Sequence, residues 1–357
     1  MNLQPVPFHL GYRRSLDGLR AISIILVLLD HGKIVPEMFG FIGVNTFFVL
    51  SGFLITTLLM AEWKERGTID LGYFYLRRML RLYPALLAML LAFGIYAWLT
   101  NSGKSLATDL HEILWALFYL TNLVKIFGAD PGFNLGHTWS LGVEEQFYLI
   151  WPVLLLFLLP RNSRGSLACW IFLGVVLSVS LRFYLLAASL TPAVDPDRMV
   201  YGLDTRADSL LMGCLAAVLV SSGFLTQLPD RKLVSGLLAW GLLLGLLSLG
   251  FCRRTPVFIC GGWLLASALA AALIMQLVAA VRTPLHYLLE NPVMVYIGQI
   301  SYGLYLWHVP ILGALKRYDL PWQNLKYLAF VFPVVLASYY FIEKPCLQLK
   351  KKFQKVS

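Results

Sequence analysis

The first long apolar run of the chain holds two ionisable side chains, Arg20 and His31. On a helix rising 1.5 Å per residue they stand ~16 Å apart and, after almost three complete turns, on roughly one side. A guanidinium in that place can hold an anion and an imidazole can carry a proton. The competing account has Arg20 snorkelling beside Asp17 while His31 caps the helix end. Next come Arg78 and Arg81 in Tyr75-Leu76-Arg77-Arg78-Met79-Leu80-Arg81-Leu82-Tyr83-Pro84. Their i, i+3 spacing can grip phosphate oxygens with forked donors, or serve only as a positively charged anchor. The segment Gly136-His137-Thr138-Trp139-Ser140-Leu141-Gly142-Val143-Glu144-Glu145-Gln146-Phe147-Tyr148 brings two adjacent carboxylates to the entry of an apolar helix. Glu144 or Glu145 can orient an imidazole or act as a base there, and His137 and Trp139 can line a sugar site. The alternative is an acidic helix start answering the helix dipole. Finally, Ser301, Tyr305 and His308 share a helix face by i, i+4 and i+7 spacing. They either line one polar cavity with His31 or form a hydrogen-bonded seam between helices.

These residues need elements to hold them, and composition says of what kind. The chain has 357 residues, 59% hydrophobic and only 13% charged, with a mean hydropathy of +0.72. Water-soluble architectures are excluded on that ground. Apolar runs near the ~20 residues that span hydrocarbon recur from Ala21 onward, at Phe41 to Leu59, Leu82 to Leu99, Leu167 to Leu190, Leu233 to Phe251, Val257 to Val281 and Leu325 to Phe341. Basic residues gather between alternate runs, which places both termini in the cytoplasm. Ile113 to Phe127 is shorter, carries Lys125 and begins beside His111 and Glu112, so it reads as a re-entrant or peripheral segment. The expected fold is an all-α polytopic membrane protein of about ten transmembrane helices plus that one segment. Residues 1–345 form the membrane domain and 346–357 a basic cytoplasmic tail. The longest external connection runs from Thr191 to Thr205.

A net charge of +10 is accounted for by topology and anionic headgroups, without nucleic acid. The cysteines Cys169, Cys214, Cys252, Cys260 and Cys346 show no CxxC pair or His spacing, which argues against a metal site or a disulfide framework. Arg13 and Arg14 precede the first apolar run without a cleavage site after it, so that run is read as a retained helix. No internal repeat is visible.

With these segments in view, the chain resembles the acyltransferase-3 family of integral membrane acyltransferases. The resemblance runs through Leu16-Asp17-Gly18-Leu19-Arg20-Ala21 with His31, Gly43-Val44-Asn45-Thr46-Phe47-Phe48-Val49-Leu50-Ser51-Gly52-Phe53-Leu54, and Arg78-Met79-Leu80-Arg81. It continues through His137 to Tyr148, Thr205-Arg206-Ala207-Asp208-Ser209-Leu210, Ser301 to His308 and Glu343-Lys344-Pro345, in family order. Asn45 stands where the family often has Asp, and Gly142 where Ser is commoner. Many relatives append an SGNH-type domain, and this sequence stops at Ser357 without one.

The resemblance implies an O-acyltransferase of the bacterial cytoplasmic membrane, moving an acyl group, with acetyl expected, from cytoplasmic acyl-CoA to a hydroxyl of a surface glycan or other acceptor. Acetyl-CoA or another acyl-CoA enters as co-substrate, with no bound cofactor and no metal. Arg20, Arg78 and Arg81 are expected to bind the donor phosphates. His31 is the expected general base, Tyr302 or Tyr305 the oxyanion donor, and Glu144 and His308 complete the catalytic set. Acceptor contacts are expected from His137, Trp139, Glu145 and Arg206. Ser51, Ser301, either tyrosine or His31 can carry an acyl intermediate, and sequence does not choose between that and direct transfer. Nor does it give the oligomeric state. A transporter or flippase would use a similar buried polar cavity, although it would more typically show an internal repeat or paired broken helices.

Overall fold

The computed structural model describes residues 11–100, 106–127, 134–188, 197–223, 232–279, 281–317 and 326–351. Part of the Thr191 to Thr205 connection and the end of the basic tail, 352–357, lie outside them. Every regular element among the described residues is helical. In chain order these are α1 (Arg14–His31), α2 (Met38–Arg66), α3 (Leu71–Thr100), α4 (Leu106–Leu117), α5 (Thr121–Ile126), α6 (Trp139–Leu158), α7 (Arg164–Ala188) and α8 (Asp197–Tyr201). They continue with α9 (Leu203–Ser221), α10 (Lys232–Ser248), α11 (Trp263–Ala279), α12 (Pro284–Leu289), α13 (Pro292–Gln299), α14 (Ser301–Arg317), α15 (Leu328–Ser338) and α16 (Lys344–Lys351).

Helices are what hydrocarbon demands, because each backbone N–H must find its acceptor within the same segment. Seven stretches among the described residues are long and apolar enough to cross a bilayer: Met38–Arg66, Leu71–Thr100, Gly136–Arg161, Arg164–Ala188, Lys232–Phe251, Phe258–Val278 and Leu328–Leu349. The chain is an integral membrane protein. Apolar side chains such as Trp170, Phe172, Leu177 and Tyr184 on α7 are exposed, the state expected of a lipid-facing stripe. Helices α1, α9 and α14, of 18, 19 and 17 residues, are not among the seven. The first holds Arg14, Asp17, Arg20 and Asp30, the second Asp204, Arg206 and Asp208, and the third is short. The stretch expected to stay off the membrane path is two short helices, α4 of 12 residues and α5 of 6, parted at Tyr119, whose φ is +56°. At 1.5 Å per residue neither reaches across a ~30 Å hydrocarbon layer.

The helices form two compact units, Met1–Ile69 with Trp151–Gln299, and Asp70–Ile150 with Ile300–Ser357. Helix α6 begins in the second and ends in the first.

In the first unit α2 is the central helix, packed against α1, α9 and α11. Its approach to α9 is set by two glycines. A Cβ built on Gly52 would lie 1.9 Å from the Leu210 carbonyl oxygen, and one on Gly213 would lie 2.0 Å from that of Val49. Each helix thus presses its backbone into the other, as small residues allow where no hydrophobic effect draws helices together. Helix α7 is fixed to α9 by a buried ion pair. Arg182 reaches both carboxylate oxygens of Asp208, at 2.8 and 2.6 Å, and also donates to the Thr205 and Cys260 carbonyls. Both side chains are fully buried. In the second unit α14 packs on α3 and α15, and α16 returns to α3.

Gly52→Ala should force the α2 and α9 backbones apart and lower thermal stability in detergent by about 1–3 kcal/mol. Gly241→Ala, whose added methyl meets nothing within 4 Å, should leave the melting temperature unchanged or slightly raised. Asp208→Asn should cost about 3–5 kcal/mol by leaving Arg182 buried without its counter-ion. The double variant Arg182→Met with Asp208→Leu should lose less than Asp208→Asn alone, a comparison that thermal melts can read directly.

Candidate functional site

In the first unit, α1 runs unbroken from Arg14 to His31, so Arg20 and His31 keep the three-turn spacing read from the sequence. Arg20 lies 4.0 Å from Asp17, with its side chain 21% exposed. Asp17 also accepts a hydrogen bond from the Tyr12 hydroxyl at 2.7 Å. His31 is half-buried at the end of the helix, and the preceding Asp30 is buried against Gly40, where an added methyl would lie 2.2 Å from its Oδ2.

A second polar group lies between α2, α9 and α11. Asn45 is its centre: Oδ1 accepts from Arg206 Nη2 at 3.0 Å and from Ser209 Oγ at 2.6 Å, while Nδ2 donates to Ser267 Oγ at 2.9 Å. Ser267 in turn donates to Ser209 at 3.0 Å or to the Trp263 carbonyl at 2.8 Å. Arg206 is fully buried, with its guanidinium 4.1 Å from the centre of the Trp263 ring and 5.5 Å from that of Phe48. Its Nε and Nη1 have no hydrogen-bond partner among the described residues. Asp208 is taken by Arg182, so the guanidinium is answered by an amide and two aromatic faces, whose quadrupoles present negative charge to it. Arg198, at the outset of this region, pairs instead with Asp204.

The second unit gathers the remaining candidates. Arg78 stacks over Tyr148 at 4.4 Å, and the Tyr148 hydroxyl donates to Glu144 Oε1 at 3.0 Å. Glu145 lies within electrostatic reach of both Arg78 and Arg81, and Arg81 within reach of Glu343. The two arginines therefore sit among carboxylates, so an anion added to them would meet partly neutralised charge. Glu343 closes a π-helical turn, Tyr339–Glu343, and is buried beside Gly303 of α14, accepting from Ser338 Oγ at 3.3 Å. The Tyr302 hydroxyl donates to the Leu82 carbonyl at 2.9 Å.

Where α6 begins, a 3₁₀ turn, Gly136–Thr138, presents His137 to α14. Glu112 of α4 holds the entry to this turn by accepting from the backbone N–H groups of Asn134 and Leu135 at 2.9 and 3.3 Å. The rings of His137, Tyr305 and His308 form a triangle with centroid separations of 5.5–5.7 Å. The Tyr305 hydroxyl donates to the His137 carbonyl at 2.8 Å and so receives a hydrogen bond from Ser140 Oγ at 2.6 Å. His308 Nδ1 faces the Leu304 and Tyr305 carbonyls at 3.1 and 2.7 Å, and His137 Nε2 faces the Leu306 carbonyl at 3.1 Å. A carbonyl only accepts, so both ring nitrogens carry hydrogen. In the neutral rings the lone pairs belong to His308 Nε2 and His137 Nδ1. Two imidazoles held in defined tautomers can accept a hydroxyl proton or hydrogen bond. Trp139, the first residue of α6, is buried.

Tyr305, His308 and His137 are thus brought together, as are Arg78, Glu144 and Tyr148. Arg20, His31 and Arg206 lie in the other unit. Sequence reasoning missed Arg182, Ser140 and Asp30, and did not connect Glu112 to His137. Arg182 carried a signal, a single cation inside an apolar run.

The model of a family described as an acyltransferase domain matches residues 13–343. The peptidoglycan O-acetyltransferase OatA of Listeria monocytogenes is 33% identical over 351 residues, covering 94% of this chain and 56% of the relative. A Staphylococcus aureus MSSA476 protein provisionally named an O-acetyltransferase is 34% identical over 350 residues, covering 94% and 57%. A Bacillus subtilis protein provisionally named a peptidoglycan O-acetyltransferase is 33% identical over 359 residues, covering 94% and 55%. The chain spans about half the length of these curated relatives. No solved structure matches it. A match that takes in α1 and His31 at one end and Glu343 at the other, with all the polar clusters between, shows that this chain belongs to the acyltransferase-3 family.

Proposed function

We propose that the chain is a membrane O-acetyltransferase that moves an acetyl group from cytoplasmic acetyl-CoA to a hydroxyl of a cell-envelope glycan, with peptidoglycan as the acceptor class. Family membership and the names of the relatives support the reaction type and the acceptor. The single structural observation that carries the reading is the unbroken α1, which sets Arg20 and His31 three turns apart on one face. That separation, ~16 Å, matches the reach of a pantetheine arm between a phosphate-binding end and a thioester.

In this reading α1, α9 and α14 join the seven apolar stretches to give ten crossings, with both termini cytoplasmic in a bacterial inner membrane. Arg20, Arg78 and Arg81 bind the donor phosphates. His31 takes the proton from the acceptor hydroxyl, whose oxygen attacks the thioester carbonyl as the thiolate leaves. Tyr302 or Tyr305 gives up its bond to a backbone carbonyl to donate to the developing oxyanion. Glu144 and His308 complete the catalytic set, while His137, Trp139, Glu145 and Arg206 contact the acceptor.

His31→Ala in membranes supplied with radiolabelled acetyl-CoA and solubilised glycan strands should lower product formation by about 10²–10⁴-fold, the usual range for a general base. A variant transferring acetyl at the parent rate would remove His31 from the chemistry. Arg78→Lys keeps the charge but loses the fork and the flat stack on Tyr148. It should raise KM for acetyl-CoA by about tenfold with little change in kcat.

A further inference from the structure

Helix α14 contains Pro310 in its interior. A helical carbonyl at position i−4 receives its hydrogen bond from the N–H at position i, and proline has none. The acceptor that Pro310 orphans is the Leu306 carbonyl, and this is the oxygen that His137 Nε2 contacts at 3.1 Å. In a helix the proline ring also crowds the i−4 carbonyl, which weighs further against an intrahelical partner there.

We infer that Pro310 is a positioning residue: by freeing the Leu306 carbonyl it fixes His137 with hydrogen on Nε2 and the lone pair on Nδ1, the form in which His137 accepts a hydrogen bond from a sugar hydroxyl. The inference rests on the acceptor-binding role given to His137 above. The rest of the turn agrees with it. The Tyr305 hydroxyl clamps the His137 backbone carbonyl at 2.8 Å, and Glu112 holds the two N–H groups ahead of the turn. Backbone and ring are thus tied separately, and only the ring depends on Pro310. An ordinary residue at 310 would supply the missing N–H, compete for Leu306 and leave the imidazole to choose its tautomer.

The test is 15N magic-angle-spinning NMR of histidine-labelled protein in lipid, at a pH where the rings are neutral, with the His137 signals assigned by their loss in His137→Gln. The parent should show His137 protonated at Nε2 alone. Pro310→Ala, or Pro310→Ser should the first fold poorly, should show a mixture of tautomers. With solubilised peptidoglycan strands as acceptor, the same variants should raise the acceptor KM by about tenfold, the worth of one lost hydrogen bond, and leave the acetyl-CoA KM unchanged. A parent with hydrogen on Nδ1, or a Pro310 variant keeping the parent's single tautomer, overturns the inference, and the first result needs no variant at all. If the tautomers behave as expected but His137→Gln leaves the acceptor KM unaltered, the positioning of the ring stands and the acceptor role of His137 falls.

Discussion

A polar group in hydrocarbon has no water to turn to, and every unanswered one costs several kcal/mol. The arrangement of this chain follows from how each such debt is met. Arg182 is met more completely, its charge by two carboxylate oxygens of Asp208 and its Nη1 and Nη2 also by two carbonyls. Arg206 is met in part, by an amide oxygen and by aromatic faces. The Leu306 carbonyl, stripped of its helical donor by a proline, is met by an imidazole. The first solution ties helices together, the second leaves a positive charge without a matching carboxylate, and the third turns a backbone defect into control over a side chain.

The difference between Arg182 and Arg206 is instructive because both lie buried around Trp263. Two guanidiniums share one nearby carboxylate, and Asp208 faces the more fully bonded of them. Had Asn45 been an acid, Arg206 would have its own ion pair. With an amide there, the group keeps hydrogen-bonding capacity and net charge, properties that suit contact with a ligand better than a closed pair does.

Much of this was legible in the sequence, for reasons that particular residues show. Arg20, His31 and the histidines near Trp139 and Trp307 stood out because ionisable groups are rare in apolar runs. That the stretch from Ile113 forms no long helix was readable from its length, and Tyr119 marks where its two short helices part. Partnership was less legible. Arg206 and Asp208 look like a local pair, yet two residues turn a helix by roughly 200°, so the two side chains serve opposite neighbours. Asp208 looks toward Arg182 on α7 and Arg206 toward Asn45 on α2. Which neighbour stands on which side depends on the packing of whole helices, set here by the glycines of α2 and α9. The link between Pro310 and His137 was hidden for a similar cause, since the carbonyl through which it runs belongs to a third residue.

The Arg182–Asp208 pair also bears on how the protein is made. Arg182 emerges from the ribosome 26 residues before the carboxylate that neutralises it. A lone arginine in an isolated apolar helix opposes partition into lipid, by about 2.5–3.5 kcal/mol where it sits at the bilayer centre and by less toward the helix end. Helix α7 therefore has reason to wait at the insertion machinery until α9 has been synthesised, so that the two leave together as a neutralised hairpin. A bond that in the finished protein holds two helices side by side would thus, during synthesis, couple their entry into the membrane.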